Sequence, residues 1–163
     1  MSIKGGARRQ NYLSVLGLTN IGETDITIGT SPIVMGSTTD TAEWETVLTS
    51  GPEFSVDGTT GLITLPAGTY LINIFATMRT LTDERFVQLT FWDDTTELLE
   101  SLTAMPYLDG SSSYGSASIS TIMTLSGSDK YQIKLDNGSS GTSLVYLSNG
   151  IPPTCGASFY KIE

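Results

Sequence analysis

The sequence predicts an all-β fold, an antiparallel jelly-roll sandwich, and three observations support this prediction. Threonine is abundant beside serine, and β-branched side chains suit a pleated surface better than a helix. Apolar residues occur in short groups bounded by Gly, Asp, Asn, Ser or Pro, which is typical of strands separated by turns. The chain has 163 residues, the size of one domain, and holds about eight to ten such groups.

In the first half of the chain, alternation of side chains identifies the strands. Residues 42–48 could compete as a short helix, but Trp44, Thr46 and Leu48 alternate as in a strand. Residues 69–78 carry large apolar side chains on both faces, so this strand needs cover on both sides. The strands predicted in this half are 25–34, 43–48, 62–65 and 69–78.

In the second half, the clearest strand is centred on Tyr131, Ile133 and Leu135. These residues alternate with polar neighbours, which predicts one buried and one solvent-facing side. The Gly/Ser-rich segment 109–116 is interpreted as a loop, either a flexible surface loop or a recognition loop. The other strands predicted here are 86–92, 97–102, 117–125, 143–147 and 157–162.

Residues 1–24 differ from the rest, and we interpret them as an extended arm before a domain that spans 25–163. The first nine residues contain no acid, whereas the remaining 154 carry 5 basic and 17 acidic residues, a net charge of -12. The apolar residues of the arm would be buried in a groove of another subunit, or against the arm's own domain if it folds back. The proposed anchoring residues are Lys4, Arg8, Arg9, Tyr12, Leu13, Leu16 and Leu18.

Composition excludes several classes of function. The chain has no histidine, so imidazole catalysis, histidine-ligated zinc and a histidine pH switch are excluded. A single cysteine, Cys155, excludes an internal disulfide and fits synthesis in a reducing compartment. A net charge of -9 argues against a surface that coats nucleic acid. No apolar stretch approaches the roughly 20 residues of a membrane span, and no signal peptide is identified, so we expect synthesis in the cytoplasm.

One long segment, residues 54–76, carries a family resemblance. Phe54 precedes a tight turn at Gly61, a short strand leads to Pro66-Ala67-Gly68, and Tyr70 opens a long apolar strand. This pattern resembles the central motif of the jelly rolls of the complement globular-head and tumour-necrosis-factor-like superfamily. The later hairpin at 119–135 and the closing strand at 157–162 are also similar, so the resemblance covers roughly residues 25–163.

The resemblance implies a homotrimer, because members of this superfamily pack a sheet and its aromatic side chains around a threefold axis. Ser128 separates Gly127 from Asp129, which the family usually keeps adjacent, and this departure fits the divergent members found on virions of tailed bacteriophages. The candidates for the trimer interface are Phe75, Tyr131 and Phe159 or Tyr160. The alternative is that these are rim and core residues of a monomer.

No constellation of residues suited to catalysis or to metal binding is identified. The acidic clusters, such as Asp93-Asp94, are interpreted as solvated turn residues, because adjacent acids on a strand or turn point in different directions. The sequence contains no P-loop, no Gly-x-Gly-x-x-Gly and no Gly-x-Ser-x-Gly. We therefore expect no enzymatic activity, no catalytic residue, no metal and no cofactor.

The function predicted from these observations is that of a structural virion protein. In this hypothesis a trimeric decoration or cement protein binds the lattice of major capsid proteins through its N-terminal arm, without contacting nucleic acid or membrane. It would be made in the host cytoplasm and reside on the capsid surface. The alternative is a receptor- or glycan-binding head of a phage tail or head fibre, using the 109–116 loop. A small-virus coat protein or an enzyme fits less well.

Overall fold

Two antiparallel sheets stack face to face in a computed structural model, which describes residues 11–19, 25–28, 31–40, 42–80, 85–105, 113–137, 143–146 and 155–162. Every regular element within these ranges is a β-strand. The strands are β1 (Asn11–Thr19), β2 (Asp25–Ile28), β3 (Ile33–Val34), β4 (Glu43–Thr49), β5 (Ser55–Val56), β6 (Ile63–Leu65), β7 (Gly68–Thr80), β8 (Arg85–Asp93), β9 (Thr96–Met105), β10 (Ser113–Leu125), β11 (Ser128–Asn137), β12 (Ser143–Tyr146) and β13 (Cys155–Lys161). The all-β jelly-roll prediction is confirmed.

The first sheet has seven strands and is organised around the long strand β7. One side of β7 pairs with β10 along its whole length, and the other pairs with β13 and then with the end of β12. Strand β1 follows β13, β4 follows β1, and β2 pairs with β12. The order β10-β7-β13-β1-β4 therefore forms a broad antiparallel surface.

The second sheet has six strands, in the order β5-β6-β11-β8-β9, with β3 paired to β11 as well. Both sheets contribute alternate side chains to one core. Phe91 of β8 lies at its centre, with ring centroids 5.4 Å from those of Tyr131 on β11 and Phe159 on β13. Full burial of side chains of this size stabilises a fold by about 1.5 to 3 kcal/mol each.

The turn between β6 and β7 matches the motif that suggested the family resemblance, and it carries the chain from the six-stranded sheet to the seven-stranded sheet, so the two strands do not form a hairpin. The Tyr70 hydroxyl donates a hydrogen bond to the Pro66 carbonyl oxygen at 2.6 Å and so closes the turn. Gly127 packs against this turn with φ of +87°, and a Cβ there would lie 2.6 Å from the Ala67 nitrogen. Burial raises the pKa of Tyr70 to about 12, with smaller contributions from Tyr131 and Glu53.

The boundary predicted between an arm and the domain is wrong for residues 11–19. These residues form β1 between β13 and β4, and Leu13 and Val15 are fully buried in the chain's own core. The sequence of β1 lacks the alternation of apolar and polar residues by which the other strands were identified, because both faces of β1 carry apolar side chains. The fold-back alternative therefore describes this part of the arm, and residues 1–10 and 20–24 lie outside the described residues.

Three other predicted elements differ from the structure: the strand at 25–34, the loop at 109–116 and the hairpin at 119–135, whose strands β10 and β11 lie in different sheets and do not pair with each other. The strand predicted at 25–34 is divided between the two sheets, with β2 in one and β3 in the other. Ser113 to Ser116, predicted as loop, belong to β10 and pair with β7, while residues 109–112 lie outside the described residues. The strand alternative for 42–48 is confirmed by β4. The two-residue strand β5 was not predicted.

Candidate interaction face on the seven-stranded sheet

The side of the seven-stranded sheet that points away from the core forms a continuous face. Residues paired across antiparallel strands share a face, so the pairing registers show which outward side chains are neighbours. Three rows run across β10, β7, β13 and β1, and β4 extends two of them. We call these positions, with the pairs Thr69–Thr124 and Thr77–Ser116 at either end, the outer face.

The first row of the outer face is apolar and aromatic. Leu71 of β7 pairs with Ile122 of β10 on one side and with Tyr160 of β13 on the other. Tyr160 in turn pairs with Tyr12 of β1, and the centroids of their rings are 5.6 Å apart. In the single chain, Ile122 is 63% exposed, Tyr160 40% and Leu71 37%. Three large side chains therefore present apolar surface to the surroundings from adjacent strands.

The middle row is polar across four strands. Asn73 of β7 pairs with Ser120 of β10 and Ser158 of β13, and Ser158 pairs with Ser14 of β1. The Ser120 hydroxyl donates a hydrogen bond to Oδ1 of Asn73 at 2.7 Å. On the edge strand β4 the row ends at Leu48, which is 49% exposed. Hydrogen-bonding groups thus run across the centre of the face.

The third row contains a second apolar contact. Phe75 of β7 and Leu16 of β1 flank Gly156 of β13. A Cβ on Gly156 would lie 2.9 Å from Cδ2 of Leu16 and 3.0 Å from Cε1 of Phe75. The two side chains therefore lean over the glycine and fill the space above β13. Ser118 of β10 completes the row beside Phe75.

None of the described positions assigned to the outer face, which on β7 run from Thr69 to Thr77, is charged, although the chain has 25 charged residues and a net charge of -9. The next position of the same parity on β7 is Arg79, which pairs with Tyr114 of β10. The two ends of the outer face are closed by uncharged hydrogen-bonded pairs, Thr69 with Thr124 and Thr77 with Ser116, each at 3.1 Å between the hydroxyl oxygens. The positions that form it are Tyr12, Ser14, Leu16, Thr46, Leu48, Thr69, Leu71, Asn73, Phe75, Thr77, Ser116, Ser118, Ser120, Ile122, Thr124, Gly156, Ser158 and Tyr160.

The outward side of the six-stranded sheet has the opposite character. The Lys134 ammonium lies 4.2 Å from the centroid of the Trp92 ring, and the Trp92 Nε1 donates a hydrogen bond to the Thr90 hydroxyl at 2.7 Å. On the neighbouring strand, Glu100 accepts a hydrogen bond from Gln88 at 2.9 Å. These charged and polar contacts suit a surface in water. The asymmetry between the two sheets points to the outer face as the interaction surface.

Two of the predicted interface residues, Phe75 and Tyr160, belong to the outer face. The other two, Tyr131 and Phe159, are fully buried in the core of the single chain, so their prediction as contacts between subunits is wrong. Burial is also the main cause that raises the pKa of Tyr131. Phe159 and Tyr160 are adjacent in β13, and the pairing of Phe159 with Ile72 of β7 turns Phe159 inward.

The predicted anchoring residues lie in different environments, some on the outer face, one in the core and three outside the described residues. Tyr12 and Leu16 lie on the outer face, whereas Leu13 is completely buried within its own chain and cannot contact a capsid, which corrects its assignment. Leu18 lies on β1, paired with Trp44 of β4. The three basic residues Lys4, Arg8 and Arg9 lie outside the described residues.

Sequence reasoning missed the contribution of Ile122 and Asn73. Ile122 has the same parity as Ser118, Ser120 and Thr124, so it is the one large apolar residue on the polar side of the strand predicted at 117–125. That exception is a usable signal for an interaction surface. Asn73 was not identified as a candidate because the residues next to it in the sequence of β7 are apolar.

The described residues contain no candidate metal site and no membrane-spanning helix, and the cysteine among them is buried. No group of three or more His, Cys, Asp or Glu side chains within the described ranges is placed to hold a metal ion. None of the described elements is a helix long and apolar enough to cross a membrane. Cys155 is buried at the start of β13. The expectations of no enzymatic activity, no metal and no cofactor stay predictions.

Comparison with known proteins identifies the architecture. No protein-family model matches the sequence, and no curated protein matches it in sequence. The structure is similar to Eiger TNF from S. frugiperda, with a TM-score of 0.58 and 10% identity over 96% of this chain and 94% of that chain. It is also similar to murine APRIL at pH 5.0, with a TM-score of 0.56 and 15% identity over 94% and 99% of the two chains. The crystal structure of murine APRIL at pH 8.0 is similar with a TM-score of 0.55 and 13% identity over 94% of this chain and 99% of that chain. The chain therefore has a tumour-necrosis-factor-like jelly-roll fold.

Proposed function

We propose that this chain is a non-enzymatic structural protein that acts as a homotrimer assembled through the outer face. The single observation that carries the trimer proposal is an uncharged face with exposed Ile122, Tyr160 and Leu71 on an otherwise acidic chain. Contiguous exposed apolar side chains mark contact surfaces, because leaving them in water forgoes the hydrophobic stabilisation of burial.

Electrostatics support self-association through this face. Each copy carries a net charge of -9, so copies repel one another wherever acidic surfaces meet. Contact through the outer face brings no charged side chain from that face into the interface. It also leaves the charged side of the six-stranded sheet, with Lys134 and Glu100, facing water. Such an arrangement removes apolar surface from water without burying an unpaired charge.

We further propose that the trimer decorates or cements the capsid of a tailed bacteriophage, with the lattice of major capsid proteins as its partner. The support for this role is the sequence resemblance to the divergent virion members of the family and the uneven charge of the chain. Lys4, Arg8 and Arg9 are concentrated in the first nine residues, which precede the sheet strand β1. In this proposal they bind an acidic patch on the capsid surface, to which the protein passes from the host cytoplasm.

The structure sharpens the experiment that tests capsid attachment. A deletion of residues 1–22 would remove β1 and two buried core residues, so the variant to use is a deletion of residues 1–10. We expect this variant to remain a trimer and to lose binding to undecorated capsids in a co-sedimentation assay. A variant with Lys130 and Lys134 changed to serine is the control for loss of positive charge elsewhere. Full occupancy by the deletion variant would contradict the anchoring role.

A further inference from the structure

The polar middle row of the outer face has a consequence for how copies align. We infer that Asn73 fixes the register of the interface between copies and so selects a single oligomeric state, an inference that rests on the proposed homotrimer. Its carboxamide requires a hydrogen-bond acceptor from the middle row of a neighbouring copy, a hydroxyl or carboxamide oxygen.

Asn73 lies between two apolar positions of the same strand and face. Leu71 and Phe75 are each two residues away along β7, about 6.6 Å at the rise of an extended strand. Across the sheet, by contrast, the neighbours of Asn73 are the hydroxyl residues Ser120 and Ser158. The outer face is therefore apolar, polar and apolar again in the direction of β7.

The hydrogen bonds of the Asn73 side chain are incomplete within the chain. Its Oδ1 accepts a hydrogen bond from Ser120, while its Nδ2 donates to no residue that the structure describes. Asn73 is half-buried, so water can serve the amide in a single chain. When a second copy covers the face, that water is displaced, and the Nδ2 donor is left buried without a partner unless the neighbouring copy supplies an acceptor. In a trimer this applies to three donors.

Whether the Nδ2 donor of Asn73 finds an acceptor depends on how the rows of neighbouring copies are aligned. A shift by one row places Asn73 against apolar side chains, where no acceptor is available. The apolar rows alone would tolerate such a shift, because contacts among leucine, isoleucine and tyrosine side chains have little directional preference. A single buried asparagine sets register and oligomeric state in coiled coils by the same physical principle.

The test is to replace the carboxamide by an apolar side chain of similar size, in N73L, and to measure oligomeric masses by native mass spectrometry. We expect wild-type protein to give one species of three chains and N73L to remain associated but to give two or more oligomeric masses. N73A, which also removes the carboxamide, is expected to give the same mixture. The matched control is Q88L, which replaces a carboxamide by leucine on the outward side of the six-stranded sheet, outside the outer face.

The outcomes separate this inference from the proposed function. A mixture in N73L and N73A, with a single trimer in Q88L, supports the role of Asn73. A single trimer in both Asn73 variants overturns it and leaves the homotrimer intact. A mixture in Q88L as well also overturns it, because loss of a carboxamide outside the outer face would then have the same effect. A monomeric wild-type protein overturns the homotrimer itself, which the control measurement on unmodified protein reveals directly.

Discussion

Replacement of Ile122 by lysine is the most informative perturbation of the proposed interface. Ile122 is 63% exposed in the single chain, and its outward side chain makes no part of the core. The I122K variant should therefore fold with the stability of the wild type while its self-association weakens. Stability would be measured by chemical denaturation of each variant below the concentration at which it associates.

The size of the effect follows from the exposed area of Ile122. Full burial of an isoleucine side chain is worth about 1.5 to 3 kcal/mol, so burial of the exposed part is worth about 1 to 2 kcal/mol per chain. Three copies give about 3 to 6 kcal/mol, which lowers the three-chain association constant by about two to four orders of magnitude. Burial of three ammonium groups adds to this loss.

Sedimentation equilibrium measures this loss of association directly. Wild-type protein is expected at about 52 kDa, three chains of 17.4 kDa, and I122K is expected near the mass of one chain at micromolar concentration. The control is T96K, which adds the same charge at the exposed first residue of β9 on the other sheet. An I122K variant that associates as tightly as T96K would refute the assignment of the outer face.

Three further predictions concern the core and the turn between β6 and β7. Phe159→Ala should lower the free energy of unfolding by about 3 to 5 kcal/mol, because it opens a cavity beside Phe91, and a loss below about 1 kcal/mol in urea denaturation would contradict the inward assignment. Gly127→Ala should lower the melting temperature, because a Cβ would meet the Ala67 nitrogen and φ is positive, whereas an unchanged value would show that the turn can shift. Burial raises the pKa of Tyr70 to about 12, so the unfolded chain loses this proton first, and stability should fall as pH rises from about 10 to 12. Y70F should make that fall less steep, and an unchanged slope in pH-dependent denaturation would argue against the raised pKa.

Much of the fold could be predicted from the sequence because side-chain alternation and turn residues are local signals. Tyr131, Ile133 and Leu135 alternate cleanly with polar residues, and all three are buried on β11 as that pattern requires. Pro66 and Tyr70 likewise indicated a turn before the long strand, and the hydrogen bond between them closes this turn.

The orientation of strands with two apolar faces could not be predicted in the same way. Phe159 and Tyr160 are both large and aromatic, and only the pairing of β13 with β7 determines which of them enters the core. On β1, Leu13 and Leu16 point to opposite faces, so the segment resembled an arm without a period. Register between distant strands decides these cases, and a local sequence pattern carries no information about it.

A photo-crosslinking amino acid at position 122 tests the central claim most directly, because it reports both association and the face that is used. Irradiation of the purified protein followed by peptide mass spectrometry should yield species of two linked chains, with the attachment on outer-face residues of the second chain such as Leu16 or Tyr160. Crosslinks confined to a single chain, or attached to the six-stranded sheet of a neighbour, would contradict a homotrimer assembled through the outer face.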